Sequence, residues 1–111
     1  MARFVKGDIV VVPYPFSDLE RSKRRPALVV ANLEDDDLIL CQITSRQVTD
    51  QYAMPLNAED YAEGGLRRLS NARPNRILTV DTNVVLYKAG RLSPSRMSEI
   101  IEAIVQILRR G

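Results

Sequence analysis

Short apolar, β-branched runs, each cut off by proline, glycine or a charged turn, constrain this chain more than any other feature. Ile9-Val10-Val11-Val12 follows Gly7-Asp8 and ends at Pro13, which reads as a strand. Pro13 and Pro15 bracket Tyr14; proline has no N–H for a ladder, so the chain leaves the sheet or follows an edge there. Ser17 to Arg25 is polar and reads as a loop, stopped by Pro26 before a second strand, Ala27 to Ala31. Glu34 to Asp37 is a turn, and Leu38 to Ile43 a third strand, so the two apolar runs predict an antiparallel hairpin. Tyr52 to Leu56 is a short strand broken by Pro55, and Asn57 to Glu63 a helical turn ended by Gly64-Gly65. Leu69–Arg73 and Arg76–Val80 are strand candidates separated by the turn pair Pro74-Asn75. Val84 to Leu92 reads as a further strand or as a helical turn near Val84.

The last segment is helical. Ser93 is an N-cap type, Pro94 suits the first turn, and Met97, Ile100, Ile101, Ile104, Val105 and Leu108 recur at helical spacing. That stripe is expected to pack on the sheet, although Ile107 widens it enough for a helix–helix contact. Six or seven short, mostly antiparallel strands closed by an amphipathic C-terminal helix predict a mainly β fold, a small, strongly bent barrel. At 111 residues the chain is expected to be one domain spanning 1–111. No apolar run approaches the ~18 residues of a membrane helix, and MARFVKGD is too short and polar for a signal peptide. With a lone cysteine, Cys41, the expectation is a cytoplasmic protein without membrane contact.

Composition excludes whole classes of chemistry. The chain has no histidine, so it builds no Ser-His-Asp triad, no Cys-His pair and no imidazole metal site. One cysteine makes neither an intrachain disulfide nor a thiolate cage, and no metal or other cofactor is expected. Any chemistry falls to arginine, lysine, carboxylates, hydroxyls and the backbone.

Net charge is only +2, but arginine supplies 13 of the 16 cations, and its planar fork suits phosphate. Arg21, Lys23, Arg24 and Arg25 form one cluster; Arg67, Arg68, Arg73 and Arg76 lie in an acid-free stretch from Gly64 to Val80. Three places stand out: Lys23-Arg24-Arg25-Pro26 leading into a strand, Gln42-Ile43-Thr44-Ser45-Arg46 ending one, and Arg73-Pro74-Asn75-Arg76. Taken singly, each has an ordinary explanation: a hydroxyl pair that satisfies turn amides, or cations on a solvated edge. A hairpin sets Arg25 near Thr44, however, and a fixed cation beside two hydroxyls suits a phosphate diester.

Gly7-Asp8-Ile9-Val10, then Arg25-Pro26-Ala27-Leu28-Val29-Val30, Gln42-Ile43-Thr44-Ser45 and Thr79-Val80-Asp81 resemble, in order and spacing, the MazF/PemK family of toxins from toxin–antitoxin pairs. The closing Gly90-Arg91-Leu92-Ser93 and helix resemble its PemK-like branch. The resemblance implies an SH3-like barrel, a homodimer, and metal-independent, sequence-selective cleavage of single-stranded RNA that leaves 2′,3′-cyclic phosphate and 5′-hydroxyl ends. It also implies a cognate antitoxin that covers the RNA groove, and DNA binding by the toxin–antitoxin complex. Arg25 and Thr44 match the family's catalytic Arg and Thr, with Ser45 beside them; Arg73 matches an Arg used by some members, and Glu20 sits near the place of a loop glutamate used by others. Two positions after the Arg that Arg73 matches, some members carry Asp where this chain has Asn75, and some use a loop histidine that is absent here.

On this reading Arg25 and Arg73 stabilise charge on the phosphorus, while Thr44 and Ser45 donate to its oxygens. Lys23, Arg24, Asn75 and Arg76 contact RNA. Tyr14 and Phe16 either stack on unstacked bases or pack into the fold. An arginine with a pKa above ~12 is a poor base at neutral pH, which leaves the loop carboxylates Glu20 and Asp18 as candidates. Two other readings stay open: a non-catalytic toxin of related fold that binds a protein such as DNA gyrase, and an RNA-binding paralogue without cleavage.

Overall fold

The proline and turn punctuation carries through into a strongly curved sheet. A computed structural model describes residues 4–14, 23–47 and 50–111. The strands are β1 (Asp8–Tyr14), β2 (Lys23–Asn32), β3 (Asp37–Thr44), β4 (Met54–Leu56), β5 (Tyr61–Gly64), β6 (Ser70–Asp81) and β7 (Tyr87–Leu92), followed by the helix α1 (Pro94–Arg110). All neighbours pair antiparallel in the order β4-β6-β3-β2-β1-β7-β5, and the sheet curls into a nearly closed barrel.

The expected β2–β3 hairpin forms around a 3₁₀ turn at Glu34–Asp36, with Asp36 in the left-handed region at φ 68°. β7 pairs with β1 as far as Val11, so among the described residues Val12 to Tyr14 have β2 alone for a strand neighbour. That edge is where Pro13 can omit a donor without breaking a second ladder. Pro55 likewise sits in β4, at the edge of the sheet.

The structure departs from the sequence expectation in three places. Lys23, Arg24 and Arg25 are strand residues, paired with Tyr14, Pro13 and Val12, rather than the end of a loop. The two candidates are one strand, β6 (Ser70–Asp81), not two strands around a turn. The helical turn after Asn57 is confined to Ala58–Asp60; Tyr61–Gly64 then pairs with β7 as β5. In each case a tertiary neighbour supplied a ladder that overrode the local signal. The two readings of 84–92 are both realised in part, as a 3₁₀ turn at Thr82–Val84 followed by β7.

The Gly-Asp opening is a structural lock. Gly7 has φ 102°; its N–H donates to Val29 O at 2.9 Å and its carbonyl accepts from Leu92 N at 2.9 Å. The buried Asp8 carboxylate accepts from Val5 N (2.9 Å) and Arg91 Nε (3.0 Å), which ties β1 to β7. Gly90 serves close packing instead: a Cβ there meets Glu63 O at 2.7 Å and Gly65 N at 2.8 Å, so a side chain would push β5 off β7.

The apolar side chains divide into two clusters on opposite faces of the sheet. One joins Ile9, Leu28, Cys41 and Ile43 to Met97, Ile100 and Ile104 of α1. Ser93 caps that helix, its Oγ accepting from Arg96 N at 3.3 Å. The stripe is narrower than its sequence suggests, since Leu108 is 69% exposed. The second cluster holds Val10, Val12, Ala27, Val29, Leu38 and Leu40.

Burial pushes the Cys41 thiol up to about 12, against a smaller opposing pull from the Arg73 backbone N–H. Thiolate is the reactive form, so native protein is expected to resist a thiol reagent such as DTNB at mildly alkaline pH and to react only on unfolding. Rapid labelling of folded protein would contradict this burial.

Candidate active site

The register of the central strands gathers the sequence motifs. Ala27 pairs with Gln42 and Leu28 with Cys41; continuing that register past the last ladder pair sets Arg25 opposite Thr44. On the other side of β3, Gln42 pairs with Arg73 and Thr44 with Asn71. Paired residues of an antiparallel ladder share a face, and so do alternate residues along a strand. Arg25, Gln42, Thr44, Asn71 and Arg73 therefore occupy the polar end of one face. At its other end Ala27, Val29, Leu38 and Leu40 form the second apolar cluster.

Arg73 reaches this face through a break in β6. Cys41 pairs with Ile77 and the next residue, Gln42, with Arg73, so Pro74, Asn75 and Arg76 stand out of the ladder as a bulge. A proline at an unpaired position costs no ladder bond. Bulges re-aim neighbouring side chains, and this one brings both Arg73 and Asn75 to Asp50. Arg73 Nη2 donates to Asp50 Oδ2 at 2.7 Å, and Asn75 Nδ2 donates to the same oxygen at 3.2 Å. Asp50 Oδ1 accepts the backbone amides of Tyr52 (2.6 Å) and Ala53 (3.1 Å). The Arg73 guanidinium holds the Asp50 carboxyl below the usual carboxylate range; partial burial opposes the shift, and the Tyr52 amide and Asn75 reinforce it.

Thr44 is buried, and its Oγ1 accepts from Arg46 N at 3.1 Å. The ordinary turn role is thus real, but it uses only a lone pair, and the hydroxyl proton remains available to a ligand oxygen. Arg25 is half-buried; Lys23, Arg24, Ser45, Asn75 and Arg76 are exposed. Tyr14 is the last residue of β1, opposite Lys23. Glu20 and Phe16 lie outside the described residues, as does Asp18.

Asp50 is the site residue that the sequence pattern does not single out. It reads as one acid among several, and an Asp shortly before a strand signals only a local turn. Its bond to Arg73 crosses 23 residues and exists only because the β6 bulge brings the two together.

A nearly closed antiparallel barrel capped by one helix, with arginines and a buried hydroxyl at one end of a sheet face, defines a small SH3-like barrel with a cationic site. Residues 5–108 match the family described as PemK-like, MazF-like toxin of type II toxin–antitoxin system, and the chain belongs to that family. Its fold is that of a MazE–MazF structure from Deinococcus radiodurans (TM-score 0.76, 16% identity, 99% of this chain and 100% of that one). A mycobacterial endoribonuclease in complex with its cognate antitoxin is similar at TM-score 0.74 and 15% identity, over 100% of this chain and 98% of that one. The Mycobacterium tuberculosis toxin MazF-mt6 follows at TM-score 0.71 and 17% identity, over 94% and 98%. No curated protein matches the chain in sequence.

Proposed function

We propose that this toxin is an endoribonuclease that cleaves single-stranded RNA, sequence-selectively and without a metal ion, by attack of the ribose 2′-OH on the adjacent phosphorus. The observation that carries this reading is the convergence of Arg25, Thr44 and Arg73 on one end of one sheet face. The family and the structural likeness to proteins described as endoribonucleases support it.

In-line attack builds negative charge on the non-bridging oxygens. Arg25 and Arg73 oppose that charge from the two strands that flank β3, and fixed cations in a partly desolvated site are the larger part of such catalysis. The Thr44 hydroxyl proton and Ser45 donate to the same oxygens. Lys23, Arg24, Asn75 and Arg76 follow the backbone or read base edges, and Tyr14 and Phe16 stack unpaired bases. The proton acceptor is a loop carboxylate, Glu20 or Asp18. Products carry 2′,3′-cyclic phosphate and 5′-hydroxyl ends. The domain, residues 1–111, works in the cytoplasm as a homodimer whose RNA groove is covered by its antitoxin, and the complex binds DNA.

Brief incubation of a long RNA with the protein in EDTA, followed by mapping of the ends, tests the reading. Discrete fragments with cyclic phosphate ends are expected. Intact RNA refutes it: inhibited supercoiling by DNA gyrase then marks a protein-binding toxin, and an RNA gel shift without cleavage marks a binding paralogue. Without histidine, the pH–rate profile is expected to lack a titration near ~6.5. A step there would require a carboxylate with a raised pKa.

A further inference from the structure

We propose that Asp50 is a positioning residue that orients Arg73 toward the RNA, and that it acts on the reaction through Arg73. The proposal rests on the reading of the chain as an RNA-cleaving enzyme and assigns a role within that site. Asp50 lies in the connection between β3 and β4, outside any strand, and its two oxygens do different work. Oδ1 binds the amides of Tyr52 and Ala53, which fixes the carboxylate to its own backbone. Oδ2 receives the two side chains delivered by the β6 bulge, Arg73 and Asn75. A carboxylate anchored on one edge and loaded on the other is a brace.

Arg73 needs such a brace. Its side chain is only 16% exposed, and a largely buried guanidinium without a counter-charge is costly. Three residues of its own strand, Pro74 to Arg76, are out of the ladder beside it, so backbone pairing restrains it on one side only. The Asp50 bond occupies Nη2; Nε is buried and has no hydrogen-bond partner among the described residues. With one edge of the fork held by Asp50, the guanidinium is fixed in place, which is the arrangement that preorganises a cation for a phosphate. Asp50 also offsets part of the Arg73 charge, so its contribution is orientation rather than field, and it belongs in kcat more than in KM.

Asp50→Asn separates this role from a purely structural one. Its side-chain oxygen can still accept the Tyr52 and Ala53 amides and keep the turn, but the –NH₂ that replaces Oδ2 cannot accept from Arg73. The experiment compares wild type, Asp50→Asn, Arg73→Ala and the double variant in cleavage of one RNA, with thermal unfolding as a check. The ¹⁵N relaxation of the Arg73 Nε–Hε group is recorded on wild type and Asp50→Asn. Asp50→Asn is expected to lower kcat by about 10- to 100-fold with little change in KM, since small misplacements of a catalytic group cost that much. In the Arg73→Ala background the same change is expected to cost no more than about twofold, because its effect runs through the missing side chain. Arg73 Nε–Hε is expected to be rigid in wild type and mobile in Asp50→Asn. Equal losses in both backgrounds, or an Arg73 that stays rigid without Asp50, overturn the proposal. If the wild type leaves RNA intact, the enzymatic reading fails instead, and the Nε relaxation still decides whether Asp50 positions Arg73.

Discussion

Arg25→Ala is expected to reduce RNA cleavage by about 10²–10³-fold, the loss seen when one fixed donor to a developing oxyanion is removed. Arg25 lies in β2, opposite Val12 of β1, and by continued register opposite Thr44 of β3. It is half-buried and belongs to neither apolar cluster, so its loss leaves the core untouched. The melting temperature should therefore stay close to wild type while activity collapses. Arg25→Lys should recover only part of the activity, because an ammonium is a point charge and cannot replace a planar fork on two phosphate oxygens. Cleavage rates on a single RNA, with circular dichroism melts alongside, make the comparison. Undiminished cleavage by Arg25→Ala would remove this residue from the mechanism.

The largest stability effect is expected at the helix–sheet seam. Ile100 is fully buried and packs with Ile9, Leu28 and Ile43 beneath the sheet. Ile100→Ala deletes a buried branched side chain and leaves a cavity, which typically costs about 2–5 kcal/mol. Against a total stability of roughly 5–15 kcal/mol, that is a large fraction, and the melting temperature should fall by more than about 10 °C. Leu108→Ala, on the exposed side of the same helix, is expected to cost less than about 0.5 kcal/mol in the isolated chain. Thermal melts of the two variants at low protein concentration check both numbers. A comparable loss at Leu108 would mean that the outer face of α1 is covered in the assembled protein.

Much of the architecture was legible because its signals are local. Apolar runs bounded by Pro13, Pro26 and the acidic turn Glu34 to Asp37 mark β1 to β3, and the Ser93-Pro94 start with its apolar stripe marks α1. Elements whose existence depends on a distant partner were harder. β5 forms from a polar segment because β7 offers it a ladder, and that approach needs glycine at position 90. β6 looks like two strands around a turn because Pro74-Asn75 is a good turn pair; only the pairing with β3 reveals it as one strand with a bulge.

The same division runs through the candidate site. Residue order alone bounded the chemistry and pointed to the family: no imidazole, arginine as the dominant cation, and the ordered motifs Gly7 to Val10, Arg25 to Val30, Gln42 to Ser45 and Thr79 to Asp81. These are properties of composition and of motif order, and neither depends on how the chain is folded. Tertiary structure decided which of those groups share a face, because side-chain direction follows strand register and a bulge shifts register by whole residues. It also decided that Arg73 does not stand alone. Asp50, one acid among several in the sequence, pairs with Arg73 only after β6 folds back beside β3, since an ion pair spanning 23 residues is a consequence of three-dimensional closure.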